Sequence, residues 1–301
     1  MNGILNLLKP AGPTSHDCVA IVRRMTGQRK IGHTGTLDPN ACGVLPLCLG
    51  KATRLIEYMD QAEKIYRCEA MLGLQTDTQD IWGTVLADNR QEAAALSEEA
   101  ILGAFPHFMG EIVQRPPSYS AVKVNGRRLY SYARAGIEVE AEERHITVHD
   151  LRLLRYDRES GRFLFEICCS KGTYVRTICH DLGQLLGPGA CMSFLLRTRT
   201  SGLDIDSAVT LEDLAGMDRA DIEALLQPPS AGLGEMKRLA LSERQAVLFE
   251  NGNPAFAQEL NAVKQPKSNE AETCAVFREE HLLGIAVYTP ERGYQVRKVL
   301  K

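Results

Sequence analysis

The chain has 301 residues and a formal net charge of −3, from 35 Lys and Arg against 38 Asp and Glu. Apolar residues make up 44% and charged residues 24%, an ordinary globular composition, and the length allows about two domains with a sizeable core. This balance excludes a globally basic nucleic-acid coat protein but leaves room for a locally basic surface.

The apolar N-terminal stretch breaks at Lys9-Pro10, too early for a signal h-region. No run approaches the roughly 18 apolar residues of a membrane span, so a cytoplasmic protein without membrane contact is expected. The nine cysteines are odd in number and contain no C-x-x-C pair, which supports neither a disulfide framework nor a zinc site. Most sit in apolar runs, as small buried hydrophobes of a reducing compartment do.

Residues 16–25 read as a helix. Gly32-His33-Thr34-Gly35-Thr36-Leu37-Asp38-Pro39-Asn40-Ala41-Cys42-Gly43 is the densest run of special residues, a tight loop that ends in a carboxylate. Asp at an N-cap followed by Pro predicts a helix start, and such a carboxylate on a rigid edge can also act as a nucleophile. The loop lacks the Gly-Lys-Ser/Thr ending of a P-loop. Tyr66, Cys68, Ala70 and Leu72 alternate with Arg67, Glu69 and Met71, a half-buried strand; residues 97–105 read as helix.

Residues 115–137 carry Arg115, Lys123, Arg127, Arg128 and Arg134 without one acid, interleaved with Tyr119, Tyr130 and Tyr132. Such runs are often merely solvated, but the aromatics favour a nucleic-acid surface. Ser120-Ala121-Val122-Lys123 matches S-x-x-K without its companion motifs. Residues 162–169 form a further strand, and Val175, Ile178, Cys179, Leu182 and Leu185 recur at helical spacing after Ser170-Lys171-Gly172-Thr173. His180 and Asp181 are adjacent on that helix and do not face each other. Acids gather at 86–111 and 204–223, and residues 292–301 hold Arg292, Arg297, Lys298 and Lys301.

Gln227-Pro228-Pro229-Ser230-Ala231-Gly232 reads as a linker between a unit at 1–229 and a β-rich module at 230–301. Ser242-Glu243-Arg244-Gln245 opens a short helix, Asn251-Gly252 stops it, and residues 253–270 are weakly patterned. Residues 274–277, 282–288 and 296–300 are strand-like. Strands and helices do not alternate regularly, which predicts an α+β protein with a mainly antiparallel sheet flanked by helices.

Taken in order, several segments together resemble the TruB-type family of tRNA pseudouridine-55 synthases. The Gly32–Gly43 loop with Leu45-Pro46 resembles its catalytic loop, and Leu8-Lys9-Pro10 with Gly12, Thr14 and Ser15 its N-terminal motif. Lys64-Ile65-Tyr66-Arg67, Leu72-Gly73, Thr76-Asp77-Thr78 and Asp80 are similar to the next block. Pro116-Pro117, Tyr119–Lys123, Gly126, Leu129-Tyr130 and Ala133-Arg134 are similar to an RNA-gripping insertion at about 115–145. Lys171-Gly172-Thr173-Tyr174-Val175-Arg176, Leu195 and Arg197-Thr198 complete a resemblance over about residues 3–215. The C-terminal module is similar to a PUA RNA-binding domain.

The resemblance implies the pseudouridine synthase fold and a cofactor-free, metal-free isomerisation of uridine in the T-arm of tRNA, and the module pattern suggests a monomer. Asp38 would be the essential carboxylate, Arg176 its partner, and Tyr66 the aromatic on the base. His33, Tyr174, Leu195, Lys9, Lys123, Arg127 and Arg128 would bind substrate. Whether Asp38 attacks the base, attacks C1′ or takes a ribose proton stays open. Leu196 stands where the family often carries an arginine, which puts one phosphate contact in question. A non-catalytic RNA-binding protein on the same scaffold is the alternative; a glycoside or nucleoside hydrolase would need a second carboxylate.

Overall fold

Period-two burial organises the chain into sheets: on the strand Lys64–Leu72 the alternate residues Lys64, Tyr66, Cys68, Ala70 and Leu72 are buried. The computed structural model describes residues 1–59, 62–234, 236–253, 255–263 and 271–301. Its strands begin with β1 (Gly3–Lys9), β2 (Ile31–His33), β3 (Cys42–Leu49), β4 (Lys64–Leu72), β5 (Leu74–Thr76) and β6 (Val85–Asp88). Next come β7 (Gly110–Gln114), β8 (Lys123–Val124), β9 (Arg127–Arg128), β10 (Arg144–Asp157), β11 (Arg162–Cys169), β12 (Ala190–Thr200) and β13 (Leu203–Asp204). The last four are β14 (Lys237–Ala240), β15 (Glu272–Arg278), β16 (His281–Thr289) and β17 (Gly293–Val299).

Nine strands make one sheet in the order β1-β3-β12-β4-β11-β10-β7, with β2 beside β3 and β13 beside β12. All its pairings are antiparallel except β3 with β12, where Leu196 faces Cys42 and Arg197 faces Gly43. Gly43 is required at that seam. Its φ is +113°, and a Cβ there would lie 2.1 Å from the Arg197 carbonyl oxygen. The helix Ser15–Thr26, closed by a Thr14–Asp17 capping box, buries Cys18, Val19 and Val22 against Leu5, Leu7, Leu45 and Leu47. Helices Glu98–Ala104 and Val175–Leu186 pack on Phe163, Phe165 and Ile167 of β11.

A second sheet, β14-β15-β16-β17, carries the helices Glu243–Glu250 and Ala255–Val263. The Ser242 capping box forms as expected. Within the stretch 253–270 read as weakly patterned, residues 255–263 form a helix whose Phe256 is buried 5.2 Å from the Phe249 ring. Residues 264–270, the rest of that stretch, lie outside the described residues.

The segment 227–232, expected as a linker, packs against the first sheet. Ile4 and Gln227 exchange two backbone hydrogen bonds at 2.9 Å, so the segment joins the edge of β1. Pro229–Leu233 then forms a 3-10 turn packed on Met59 and Ile4. Ala275, Phe277 and Ile285 of the second sheet enter one apolar cluster with Ile4, Val44, Cys48 and Met59 of the first. Among the described residues, no helix is long and apolar enough to cross a membrane.

Candidate active site

Asp38 does not start a helix. Pro39 and Asn40 make a turn, Ala41 N–H donates to the Asp38 carbonyl at 3.1 Å, and the chain enters β3 at Cys42. Tertiary contacts override the local helix-start signal, because backbone groups on both sides of Asp38 are already held. Ser15 Oγ donates to the Leu37 carbonyl (3.1 Å) and accepts from Leu37 N–H (2.9 Å). Gly12 N–H donates to Pro39 O at 2.9 Å, and Thr34 N–H to Pro46 O at 3.1 Å.

Lys9 is fully buried beneath this loop. Its Nζ donates to Pro10 O, Pro39 O and Ala41 O at 2.9, 2.8 and 2.8 Å, which uses all three N–H bonds. The expectation that Lys9 touches substrate is therefore corrected: it fixes the loop from below. Burial pulls its pKa below the ordinary lysine value, while nearby Cys18, Cys42 and Asp38 support the charge.

Arg176, on the first turn of the helix Val175–Leu186, reaches Asp38 from the other side. Its Nε lies 3.0 Å from Asp38 Oδ2, and Nη2 donates to Oδ1 at 3.4 Å. The guanidinium also donates to Thr78 O and Tyr119 O, each at 3.0 Å, and faces Asp80 Oδ2 at 3.7 Å. One buried side chain thus ties together the loop, the β5–β6 hairpin and the segment after Pro117. The Arg176 side chain is 5% exposed and that of Asp38 41%, so the carboxylate opens to solvent while its partner does not. Surrounding protein still removes enough water to push the Asp38 carboxyl above its ordinary pKa; Arg176 and Lys9 pull it down, and Asp80 adds to the rise. A raised carboxylate is a stronger base once ionised, and Arg176 orients it.

Strand register brings in the aromatic. Tyr66 on β4 faces Arg197 on β12, and Leu195 two residues back faces Cys68. Tyr66, Leu195 and Leu37 share one apolar cluster. Burial pushes the Tyr66 phenol up to about 12, against the pull of the Arg197 charge and hydrogen bond, so the phenol is neutral at pH 7. Tyr174, at the helix start, is held by Gln114, whose amide accepts from Tyr174 N–H (2.7 Å) and donates to its carbonyl (3.0 Å).

His33 ends β2 and lines a cleft of about 510 Å³ with Gly35, Thr36, Arg54 and Lys298, beside the loop. Lys123, Arg127 and Arg128 are exposed on the β8–β9 hairpin, away from the Asp38–Arg176 pair but in the segment that Tyr119 joins to it. Arg127 lies 4.8 Å from the Tyr132 ring centre and Arg128 5.9 Å from that of Tyr130. In the C-terminal basic stretch, Lys298 pairs with Glu57 at 2.7 Å and Lys301 donates to Asn251 at 2.8 Å.

Sequence reasoning placed Arg197 and Asp80 in family-like segments but gave neither a role in the site. Arg197 is fully buried; its Nε donates to Val44 O at 2.7 Å and its Nη2 to Gly35 O at 3.0 Å, so it fastens the loop as well as Tyr66. Asp80 accepts from Thr78 Oγ1 at 2.8 Å and Trp82 N–H at 3.1 Å through Oδ1 and turns Oδ2 to Arg176. The resemblance marks both positions but not their contacts, which come from elements that only the fold brings together.

Two family models cover residues 23–233: the N-terminal domain of TruB family pseudouridylate synthases over 23–175 and the tRNA pseudouridylate synthase B C-terminal domain over 176–233. The chain belongs to the TruB family. It is 45% identical to tRNA pseudouridine synthase B of Streptococcus sanguinis (strain SK36), over 99% of each chain. With the enzyme of the same name from Symbiobacterium thermophilum it shares 49% identity over 84% of this chain and 82% of the relative. A chain in the crystal structure of a Cbf5-Nop10-Gar1 complex matches with a TM-score of 0.72 and 25% identity, covering 99% of this chain and 85% of that one. This TruB-family chain is thus a pseudouridine synthase, of a family that isomerises uridine to pseudouridine in tRNA.

Proposed function

We propose that the enzyme converts uridine 55 in the T-arm of tRNA to pseudouridine, with Asp38 as its essential carboxylate. The observation that carries this is the Asp38–Arg176 pair, a solvent-open carboxylate gripped by a buried guanidinium on a loop fixed by Lys9, Ser15 and Arg197. The relatives' shared name, tRNA pseudouridine synthase B, supports the tRNA substrate.

The reaction breaks N1–C1′, forms C5–C1′, removes the C5 proton and places one on N1. Composition is unchanged, so the site needs a group that shuttles charge, not an added reactant. Asp38 splits the glycosidic step through attack on base or sugar, or starts it by taking a ribose proton. Tyr66 stacks on the uracil. With its pKa near 12 it moves a proton only as a relay, giving up its own as it takes one. Tyr174 and Leu195 wall the pocket and help exclude water. Asp80 is engaged by Thr78, Trp82 and Arg176, which leaves it poorly placed as the water-activating base that hydrolysis would require.

Uridine in a folded arm is stacked and must be flipped out, at a cost of a few kcal/mol. Lys123, Arg127 and Arg128 grip phosphates in return, from an insertion at about 115–145, and His33 holds the extruded bases apart. The protein works as a cytoplasmic monomer, with a catalytic domain at 1–229 and a PUA-like RNA-binding domain at 230–301. Mapping pseudouridine along an unmodified tRNA transcript after incubation tests this reading. One new modification, at position 55, is expected; modification elsewhere with 55 untouched would overturn it.

A further inference from the structure

Trp82 is the chain's one tryptophan, and its residue surface is 49% exposed. It sits on the turn of the β5–β6 hairpin, and the turn is rigid. Trp82 N–H donates to Asp80 Oδ1 at 3.1 Å, Gly83 N–H to Asp80 O at 3.2 Å, and Thr84 N–H to Asp77 Oδ1 at 2.7 Å. Gly83 packs so closely that a Cβ there would lie 2.2 Å from Thr78 Oγ1, so the turn cannot relax around its neighbour. Ile81 N–H donates to Met192 O at 2.9 Å, which pins the hairpin to β12.

The same turn meets the active site. Thr78 O accepts from Arg176 and Asp80 Oδ2 faces it, while Tyr119 Oη lies 3.5 Å from Asp77 Oδ2. The hairpin therefore adjoins both the catalytic pair and the start of the acid-free basic segment 115–137. Val85 and Leu86, 55% and 68% exposed, extend the apolar surface along β6. A large indole held half in water by a braced turn needs a reason, since a polar residue would satisfy the turn equally well.

We propose that Trp82 is a stacking platform for an unpaired base of the substrate RNA next to the flipped uridine. The occupant follows from the setting: every π-faced base stacks on indole, the adjacent segment is basic, and the enzyme acts on RNA. This rests on the RNA-modifying reading of the same site. Stacking adds binding energy without touching the reacting atoms, so it acts on affinity and leaves the chemical step alone.

The test uses full-length enzyme and an unmodified T-arm hairpin. Because the chain has one tryptophan, selectively excited indole emission reports this position alone. Saturating RNA should quench it. Trp82→Ala should raise KM and Kd about 5- to 100-fold with kcat within about twofold, and Trp82→Phe should recover most of the loss. Wild-type turnover in the same tubes separates the two readings. If wild type turns over while fluorescence and Trp82→Ala affinity stay unchanged, the platform is wrong and the synthase reading stands. If wild type neither binds nor turns over the hairpin, the T-arm reading fails first. Equal loss in Trp82→Ala and Trp82→Phe, with kcat falling alongside, would mean a structural turn residue and would also overturn the proposal.

Discussion

At the residue scale the site is built by fixing a backbone and leaving one carboxylate to act. The raised pKa of Asp38 has a stability consequence with a definite sign. The native state keeps the Asp38 proton to a higher pH than the unfolded chain, whose carboxyl titrates near the ordinary ~3.9. Stability is therefore lost as pH rises from about 3.9 through the native value, and stays lower above it. Asp38→Asn does not ionise, so it should melt above wild type at pH 7 and lose that advantage toward pH 3.5. A melting difference that is independent of pH or reversed would contradict the assignment. Lys9→Met, by contrast, strips three carbonyls of their donor, that of Ala41 in a buried bond, and should cost roughly 1 to 3 kcal/mol, read as a lower denaturation midpoint. Asp38 was legible in the sequence through the ordered family-like segments around it, since its local pattern alone reads as a helix start. The work done by Lys9 was not, since a lysine in a motif looks the same whether it reaches out to phosphate or inward to carbonyls.

Elements were legible where one period dominates. The alternation along β4 and the helical spacing from Val175 were both plain, and the structure has both. Legibility failed where the signal is local and the deciding contact is not. Asp38-Pro39 has the chemistry of a helix start, yet Lys9 and Gly12 bind Pro39 O and divert the chain into β3. The acidic run at 204–223 is solvated, and Asp213, Asp218 and Asp221 also serve in capping boxes of two short helices, a local use that charge alone does not show. The parallel β3–β12 seam has no sequence signature except Gly43. Gly43→Ala drives a methyl into the Arg197 backbone and should destabilise the fold by several kcal/mol, seen as loss of soluble protein or a large drop in melting temperature. On the β8–β9 hairpin, replacing Arg127 and Arg128 together with Ala should weaken RNA binding and lower the salt-dependence slope by about 1.5 to 2. An unchanged slope would remove that hairpin from the phosphate contacts.

For the whole molecule, a net charge of −3 conceals an uneven distribution. Some acids are consumed as helix caps, Lys298 and Lys301 bind their own chain, and Lys123, Arg127 and Arg128 stand exposed on a separate hairpin. The second sheet shares an apolar cluster with the first, through Phe277 and Ile285 against Ile4 and Met59. A chain ending at residue 229 should therefore expose that cluster and aggregate or melt lower, whereas an unchanged melting temperature would show the two sheets to be independent. The most direct measurement of the central claim is tritium release from uracil C5 in a T-arm hairpin, with wild type and Asp38→Asn compared at equal RNA occupancy. Release by wild type, none by Asp38→Asn, and RNA affinities within about tenfold (~1.4 kcal/mol) are expected. Equal release by both proteins would contradict Asp38 as the essential carboxylate.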